Sequence, residues 1–179
     1  MKRKSALSLC LVVLACLAVL PIAAQAIKPT HRTTVHATMT HKNIVQVASS
    51  SRQFSTLVAL VKHAGLVKAL EAKGPYTVFA PTNAAFVQLK RMHAKLYREV
   101  TSSKRLLTEV LEYHVVKGRD LAKQIVRHRT LMTLLGQRLT VKVRHGDVYI
   151  NQARVVKANI MASNGVIHAI NSVLIPKVS

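Results

Sequence analysis

The chain has 179 residues, of which 27 are Lys or Arg and only six are Asp or Glu, so its formal net charge is +21. Both cysteines, Cys10 and Cys16, lie in an apolar N-terminal stretch. The rest of the chain therefore has no disulfide, no thiolate metal site and no cysteine nucleophile, and its stability must come from packing.

The N-terminal stretch has the pattern of a secretory signal. Three cations at positions 2–4 precede an almost continuously apolar run, and Ala-Gln-Ala at positions 24–26 supplies the small residues that signal peptidase accepts. We predict that residues 1–26 are a cleaved signal peptide. Two alternatives stay open, since the run is long enough for a membrane anchor and Cys16 is a candidate for lipidation. Each alternative exports the rest of the chain to the periplasm, the medium or the cell surface.

The exported part is strongly basic. Three of the 27 Lys and Arg lie in the signal, which leaves 24 against six acids and a net charge of +18. Such a surface attracts anionic polymers, including lipopolysaccharide, acidic polysaccharide and nucleic acid, as well as anionic membranes. The cations are scattered along the chain, so a general basic bias that affects only solubility is the alternative interpretation.

A polar segment follows the signal. Residues 27–40 are rich in Thr and His and lack apolar periodicity, which predicts a flexible linker. His31, His36 and His41 recur every five residues, whereas a metal-binding helix face needs a spacing of four, so a weak copper or zinc tail is only the alternative interpretation. We place one folded domain at 41–179, a size that suits a single core.

The first half of this domain has helical periodicity. Two apolar stripes within 54–70 are separated by Gly65 and predict two short helices. Ser102 or Ser103 can cap a third helix, and a fourth short helix is expected at 120–126. The buried face of the third helix is predicted to comprise Leu106, Leu107, Val110 and Leu111.

The stretch GPYTVFAPTNAAF, residues 74–86, joins a strand to a helix. Such a joint can present a nucleophile or bind a phosphate, but no glycine follows Pro81 here, and Pro81 itself lacks an N–H group. We therefore predict a structural joint in which Thr82 or Asn83 caps the helix that begins at Ala84.

The second half of the domain has a period of two. In RLTVKVRHGDVYINQ, three apolar residues alternate with Arg138, Thr140, Lys142 and Arg144, and a turn is expected at 145–147. Further strands are predicted at 153–160 and 166–175, the latter preceded by an Asn164-Gly165 turn that tolerates positive φ. Because helices come first and strands later, we expect an α+β fold with an antiparallel sheet.

Candidate catalytic groups are few. Glu109 and Glu112 are three residues apart but flank a buried helix face, so a carboxylate pair in a cleft is not indicated. His114 and His168 lie in apolar surroundings typical of core histidines. A hydrolase that uses Glu109, Glu112 or His114 is the alternative that these residues leave open. We predict no catalytic, cofactor-binding or metal-binding residue and no enzymatic activity.

Three segments, in order, resemble the fasciclin-like domain family. GPYTVFAPTNAAF is similar to its first conserved box, LLTEVLEYHVVKG to its Tyr-His segment, and NIMASNGVIHAINSVLIP to its second box. FSTLVALVKHAGLVKAL is also similar to the helix pair that precedes the first box. The resemblance covers roughly residues 41 to 177 and points to the secreted, bacterial-type, single-domain members.

The resemblance implies a wedge or sandwich of about seven mainly antiparallel strands with several short flanking helices. It also implies a secreted or surface-held module for cell adhesion or matrix interaction, with no catalysis and no cofactor. The expected partner is a cell-surface or matrix protein or polysaccharide rather than a small-molecule substrate. The basic charge adds the alternative of a secreted factor that binds an anionic polymer.

The family's adhesion segments can be carried over residue by residue. The Tyr-His segment corresponds to Tyr113 and His114, and an Asp-Ile pair before the second box corresponds to Asn159 and Ile160. The resemblance therefore implies these four residues as the binding site, with Asn in place of the acid.

Overall fold

The computed structural model describes residues 42–177. The predicted signal peptide and linker lie outside the described residues, and the bounds of the predicted domain remain a prediction. Within 42–177, no helix is both long enough and apolar enough to span a bilayer.

Seven helices, with a 3-10 turn at Arg52–Phe54, form most of the first half of the described chain. Their ends follow from local chemistry: Asn43 and Gln46 form a capping box at the first helix, and the second ends at Gly65 with φ +78°. The helices are α1 Ile44–Ser49, α2 Ser55–Ala64, α3 Val67–Glu71, α4 Asn83–Met92, α5 Ala94–Ser102, α6 Lys104–Tyr113 and α7 Ala122–Ile125.

Within residues 42–177, seven strands form one mixed sheet, with the spatial order β2-β1-β7-β6-β5-β4-β3. The β1–β7 pair is parallel, and the other neighbouring pairs are antiparallel. The strands are β1 Tyr76–Pro81, β2 Val115–Lys117, β3 Thr130–Met132, β4 Arg138–Arg144, β5 Asp147–Ile150, β6 Ala153–Ala162 and β7 Gly165–Ile170. The expected α+β class and the seven strands are confirmed, but the sheet is mainly rather than wholly antiparallel because β1 and β7 run in the same direction.

The two outer strands of the sheet come together, so that the sheet nearly closes into a barrel. Val116 of β2 bridges Thr133, just after β3, and the N–H of Leu134 donates to the carbonyl of Val115 at 2.8 Å. This contact covers both sheet edges, which would otherwise present unpaired backbone groups.

The core has two parts. One part lies between the helices and the strand pair β1 and β7, and it includes Phe54, Leu107 and Ile167. The other part lies within the curved sheet and includes Phe79 and Leu139. Phe54 and Phe79 are fully buried. Truncation of either to Ala should cost about 3–5 kcal/mol, as is usual for core aromatic residues.

The predicted helix pair at 54–70 and the Ser103-capped helix are confirmed. Ser103 accepts from the N–H of Leu106 at 3.3 Å, although Leu106 itself is only partly buried. The fourth helix is shorter than expected, because Ala122 is its first residue.

Several predicted boundaries in the second half were wrong. The strand predicted at 166–175 ends at Ile170, since the chain then turns back over the core and Leu174 is buried. The preceding turn is Ser163-Asn164, and neither Asn164 nor Gly165 has positive φ. The turn predicted at 145–147 joins β4 to β5 and is one residue shorter than expected. His145 and Gly146 form its two-residue loop, with φ of 50° and 84°, and Asp147 already belongs to β5.

Candidate functional site

The joint after β1 is structural, but its capping differs from the prediction. Thr82 precedes α4 without a side-chain cap bond. Asn83 instead reaches another helix: its Oδ1 accepts from the N–H of Thr56 at 3.1 Å, and its Nδ2 donates to the carbonyl of Arg52 at 2.8 Å. Asn83 therefore caps the N-terminus of α2 and ties it to the start of α4.

Tyr113, the first residue of the Tyr-His segment, is buried at the end of α6. Its hydroxyl donates to the carbonyl of Arg138 at 3.3 Å and accepts from Nδ2 of Asn151 at 3.0 Å. Asn151 has φ 55° and also accepts from the N–H of Thr140. Tyr113 thus connects α6 to β4 and to the turn after β5.

His114, the second residue of that segment, is 2% exposed. Its Nδ1–H donates to the carbonyl of Val110 at 2.7 Å, and its Nε2 accepts from the N–H of Leu174 at 3.0 Å. A carbonyl only accepts and an amide N–H only donates, so these partners select the neutral Nδ1–H tautomer. Burial lowers the pKa of His114 to about 4, against the opposing effect of the bond to Val110.

The Asn159–Ile160 pair lies in β6. Asn159 is exposed, has φ 58°, and its Oδ1 accepts from the N–H of Ala122 at 2.9 Å, which caps α7. Ile160 is partly buried against the core beneath the helices. Of the four residues implied by the resemblance, only Asn159 has an exposed side chain, and it is already engaged in a structural bond.

His168 is also a core residue. It is fully buried, its Nε2–H donates to the carbonyl of Asp120 at 3.0 Å, and its Nδ1 accepts a long bond from the N–H of Asn159 at 3.5 Å. Burial lowers the pKa of His168, although the bond to Asp120 and the charge of Asp120 oppose this shift. Neutral imidazole at both histidines serves packing and hydrogen bonding.

The residues considered for a hydrolase, Glu109, Glu112 and His114, do not line a common pocket. Glu109 lines a groove of about 660 Å³ between α5, α6 and the C-terminal segment, where its Oε1 accepts from Nε of Arg105 at 3.0 Å. His114 lines two apolar cavities of about 30 and 20 Å³, each too small for a substrate. Within residues 42–177, no three His, Cys, Asp or Glu side chains lie close enough to hold a metal ion.

Most of the positive charge is unpaired. Five of the 27 Lys and Arg precede the described residues, which leaves 22. Three of these, Lys95, Arg105 and Arg154, lie within 4.0 Å of a carboxylate. All six acids of the chain are among the described residues, so the other described cations have no carboxylate partner, and their side chains are exposed to solvent.

One cluster of cations surrounds an aromatic ring on the outer face of the sheet. The register pairs Tyr149 of β5 with Lys142 of β4 on one side and with Arg154 of β6 on the other. Alternate residues of these strands, such as Leu139 and Ile150, are fully buried on the inner face. We name this outer surface the basic sheet face and define it by Arg138, Lys142, Arg144, Tyr149 and Arg154.

The polar side of β4 was predicted from the sequence, but the position of Tyr149 between two cations was not. The signal was available, because a two-residue loop at 145–146 pairs Arg144 with Asp147 and, two residues further, Lys142 with Tyr149. The pairing with Arg154 depends on the turn after β5, whose register does not follow from the alternation of side chains in β4.

Comparison with known proteins decides the family. The fasciclin domain matches residues 52–176. The chain belongs to the fasciclin domain family. Members of this family are extracellular proteins of adhesion and of matrix interaction, and they are not enzymes. The resemblance and the absence of enzymatic function are thereby confirmed at the level of the family.

Bacterial and animal relatives support this assignment. Protein sll1483 of Synechocystis is 47% identical over 142 residues, which cover 78% of this fasciclin chain and 77% of that protein. Immunogenic protein MPB70 of Mycobacterium bovis is 34% identical over 77% of the chain and 71% of its own length. Transforming growth factor-beta-induced protein ig-h3 of Sus scrofa is 37% identical, but the match spans only 19% of it.

A solved structure shows the same fold. The FAS1 domain pair of the insect cell adhesion molecule fasciclin I superposes with a TM-score of 0.67 at 16% identity. The match covers 76% of this fasciclin chain and 52% of the insect one.

Proposed function

We propose that this protein is an exported fasciclin module that attaches to a cell surface or to an extracellular matrix, without catalysis and without a small-molecule substrate. The observation that carries the proposal is the match of the fasciclin domain over residues 52–176, which is nearly the whole described chain. The proposed partner is a surface or matrix protein or polysaccharide.

The four residues implied by the resemblance enter this proposal in two ways. Tyr113 and His114 are buried, so they contribute by holding α6, β4 and the C-terminal segment in place. Asn159 is exposed on β6 and Ile160 lies beside it, and this pair is proposed as part of the contact surface.

Adhesion can be tested with protein purified after export, labelled, and applied to cells and to immobilised matrix polymers. The control is a protein of equal net charge and unrelated fold, because charge alone causes retention. The proposal expects retention clearly above this control. Retention equal to that of the control would contradict it.

A second candidate function is supported by the unpaired cations. Only three of 22 described Lys and Arg have a carboxylate partner. The protein's own carboxylates would therefore compete little for these cations with an anionic polymer such as lipopolysaccharide, acidic polysaccharide or extracellular DNA. Affinity that depends on counterion release falls steeply with salt. Affinity that stays constant between low and high salt would eliminate this candidate.

Export itself belongs to the proposal. The mass and the first residue of the exported protein distinguish its three forms. A chain that begins at Ile27 supports cleavage of residues 1–26, an intact N-terminus supports an anchor, and a lipidated Cys16 supports lipoprotein processing.

A further inference from the structure

We propose that the basic sheet face binds a linear acidic polysaccharide. Carboxylate or sulfate groups of the polymer would pair with the cations of β4 and β6, and a sugar ring would lie against Tyr149. This inference rests on the proposed attachment to a cell surface or matrix, and it names the partner and the surface.

The charge of this face is the first argument. It has four cations, and its neighbourhood on β3–β6 contains one acid, Asp147, whose Oδ2 lies 3.2 Å from Nη1 of Arg154. Within the described residues, Arg138, Lys142 and Arg144 have no carboxylate partner. The other acids lie on helices or before α7: Glu71, Glu99, Glu109, Glu112 and Asp120.

The aromatic ring is the second argument. Tyr149 is partly exposed at the centre of the face, and its hydroxyl forms no hydrogen bond with the described residues. A tyrosine offers a flat apolar surface with a polar edge. A pyranose ring has the matching chemistry, because its C–H groups form an apolar face while its hydroxyls lie around the rim.

The regular spacing is the third argument. Lys142 and Arg154 are separated by two strand spacings, or roughly 9–10 Å, with Tyr149 between them. Lys142 and Arg144 are about 7 Å apart along β4. These cations project from paired strands rather than from a loop, so their backbone positions are fixed, as suits a polymer with regularly repeated charges.

Nucleic acid fits this face less well. Binding of single strands generally uses several aromatic side chains on which successive bases stack, and this face has one. Nucleic acid is therefore the competing outcome of the test.

The test measures binding of the exported protein to polygalacturonate, heparin, neutral dextran and a single-stranded oligonucleotide across a salt series. The face variant is Lys142→Gln with Arg144→Gln, and the matched control is Lys90→Gln with Arg91→Gln, an exposed pair at the end of α4 that removes equal charge. The face variant should bind an acidic polysaccharide on the order of tenfold more weakly, with a smaller salt slope. The control variant should lose no more than about twofold, as expected for a change in long-range charge alone.

Two variants separate the ring from the charge. Tyr149→Thr keeps a residue that favours strands but removes the ring, and Tyr149→Phe keeps the ring. Weaker binding to polysaccharide by the Thr variant, with near-normal binding by the Phe variant, supports the proposal. Thermal unfolding of each variant establishes that the fold is retained.

Three outcomes would overturn the inference: equal losses in the face and control variants, tighter binding of the oligonucleotide than of either acidic polysaccharide, or equal binding of dextran and the acidic polymers. The assays also separate this inference from the function on which it rests. If the wild type and the face variant are retained equally on cells, attachment stands and the face is wrong. If the polymers bind at this face but cells do not retain the wild type, attachment is wrong.

Discussion

Burial of neutral imidazole at His114 joins two distant parts of the chain. The ring receives the N–H of Leu174 and donates to Val110, so α6 and the C-terminal segment share one hydrogen-bonded side chain. Protonation would turn the accepting nitrogen into a donor that faces another donor, inside a region that excludes water. The folded protein therefore disfavours a charged His114 more strongly than the unfolded chain does.

Stability should consequently fall in mild acid. The pKa of His114 is about 4 in the folded protein and 6.5 without burial, so the unfolded chain binds a proton first as the pH falls below 6.5. The free energy of unfolding should decrease between pH 6.5 and about 4 by on the order of 3 kcal/mol from this residue, and then level off. Urea unfolding at a series of pH values measures it.

A variant and a direct titration isolate the contribution of His114. His168 changes stability in the same direction, so His114→Gln should reduce the dependence on pH without removing it. An NMR titration of the wild type should show the His114 ring neutral at pH 5. A ring that titrates near 6.5 in the folded protein would contradict the prediction.

Gly165 is required by a close approach of two strands rather than by its φ. A Cβ built at this position would lie 2.1 Å from the carbonyl oxygen of Tyr76 and 2.8 Å from Cδ1 of Ile44. The oxygen belongs to the strand with which Gly165 pairs, so it cannot move away without breaking the sheet. Gly165→Ala should destabilise the protein by about 2–3 kcal/mol, measured by chemical unfolding.

Gly146→Ala is the matched control for Gly165→Ala. Gly146 has φ +84° in a hairpin loop and nothing within 4 Å of an added Cβ, so its replacement should cost only about 1 kcal/mol from backbone strain. If Gly165→Ala is no worse than this control, the close approach is not what requires glycine.

Asparagines cap helices from a distance in this fold. Asn83 caps α2, Asn159 caps α7, and Asn164 accepts from the N–H of Ile44 at the start of α1 while donating to the carbonyls of Leu70 and Ala72 at the end of α3. All three lie in segments that resemble the family's motifs. Each short helix thus gains partners for its end groups from another element, which compensates for its low intrinsic stability.

Loss of one such cap should cost more than loss of the hydroxyl beside it. Asn83→Ala leaves the N–H of Thr56 without its acceptor and should lower the free energy of unfolding by about 1–2 kcal/mol. Thr82→Ala removes a side chain that makes no cap bond and should cost less than about 0.5 kcal/mol. Equal losses in the two variants, measured by urea unfolding, would refute the distant cap.

The charge of the whole molecule opposes its compact state. A net charge of +18 on residues 27–179, with three carboxylate pairs among the described residues, produces repulsion that salt screens. The screening length falls from about 30 Å at 0.01 M salt to about 8 Å at 0.15 M. Pairs of exposed ions add little, so repulsion should dominate the response to salt.

Thermal stability should therefore rise when salt is added to a dilute buffer. We expect the Tm to increase between roughly 0.01 M and 0.15 M NaCl, by about 2–4 °C for each 1 kcal/mol of repulsion that is relieved. A variant with Gln at Lys62, Lys90 and Arg91 should show a higher Tm in dilute buffer and a smaller rise. A Tm that falls with salt would show that attractive ion pairs outweigh the repulsion.

Patterns of local origin were enough to predict much of the fold. The apolar stripes around Gly65, the Ser103 cap and the alternation in β4 follow from helix and strand periods, and each was observed. The three ordered motifs indicated the family. These features depend on residues close together in the chain, where spacing and side-chain type are sufficient.

Contacts between residues far apart in the chain could not be predicted from spacing and side-chain type. The partner of Asn83 lies 27 residues away, that of His114 lies 60 away, and the placement of Tyr149 between Lys142 and Arg154 requires two strand registers. A capping residue looks the same in sequence whether it caps its own helix or another one. The tertiary structure alone sets which helix such a residue caps. Burial of the two cores determines which elements meet, and this in turn determines which polar groups can form hydrogen bonds with each other.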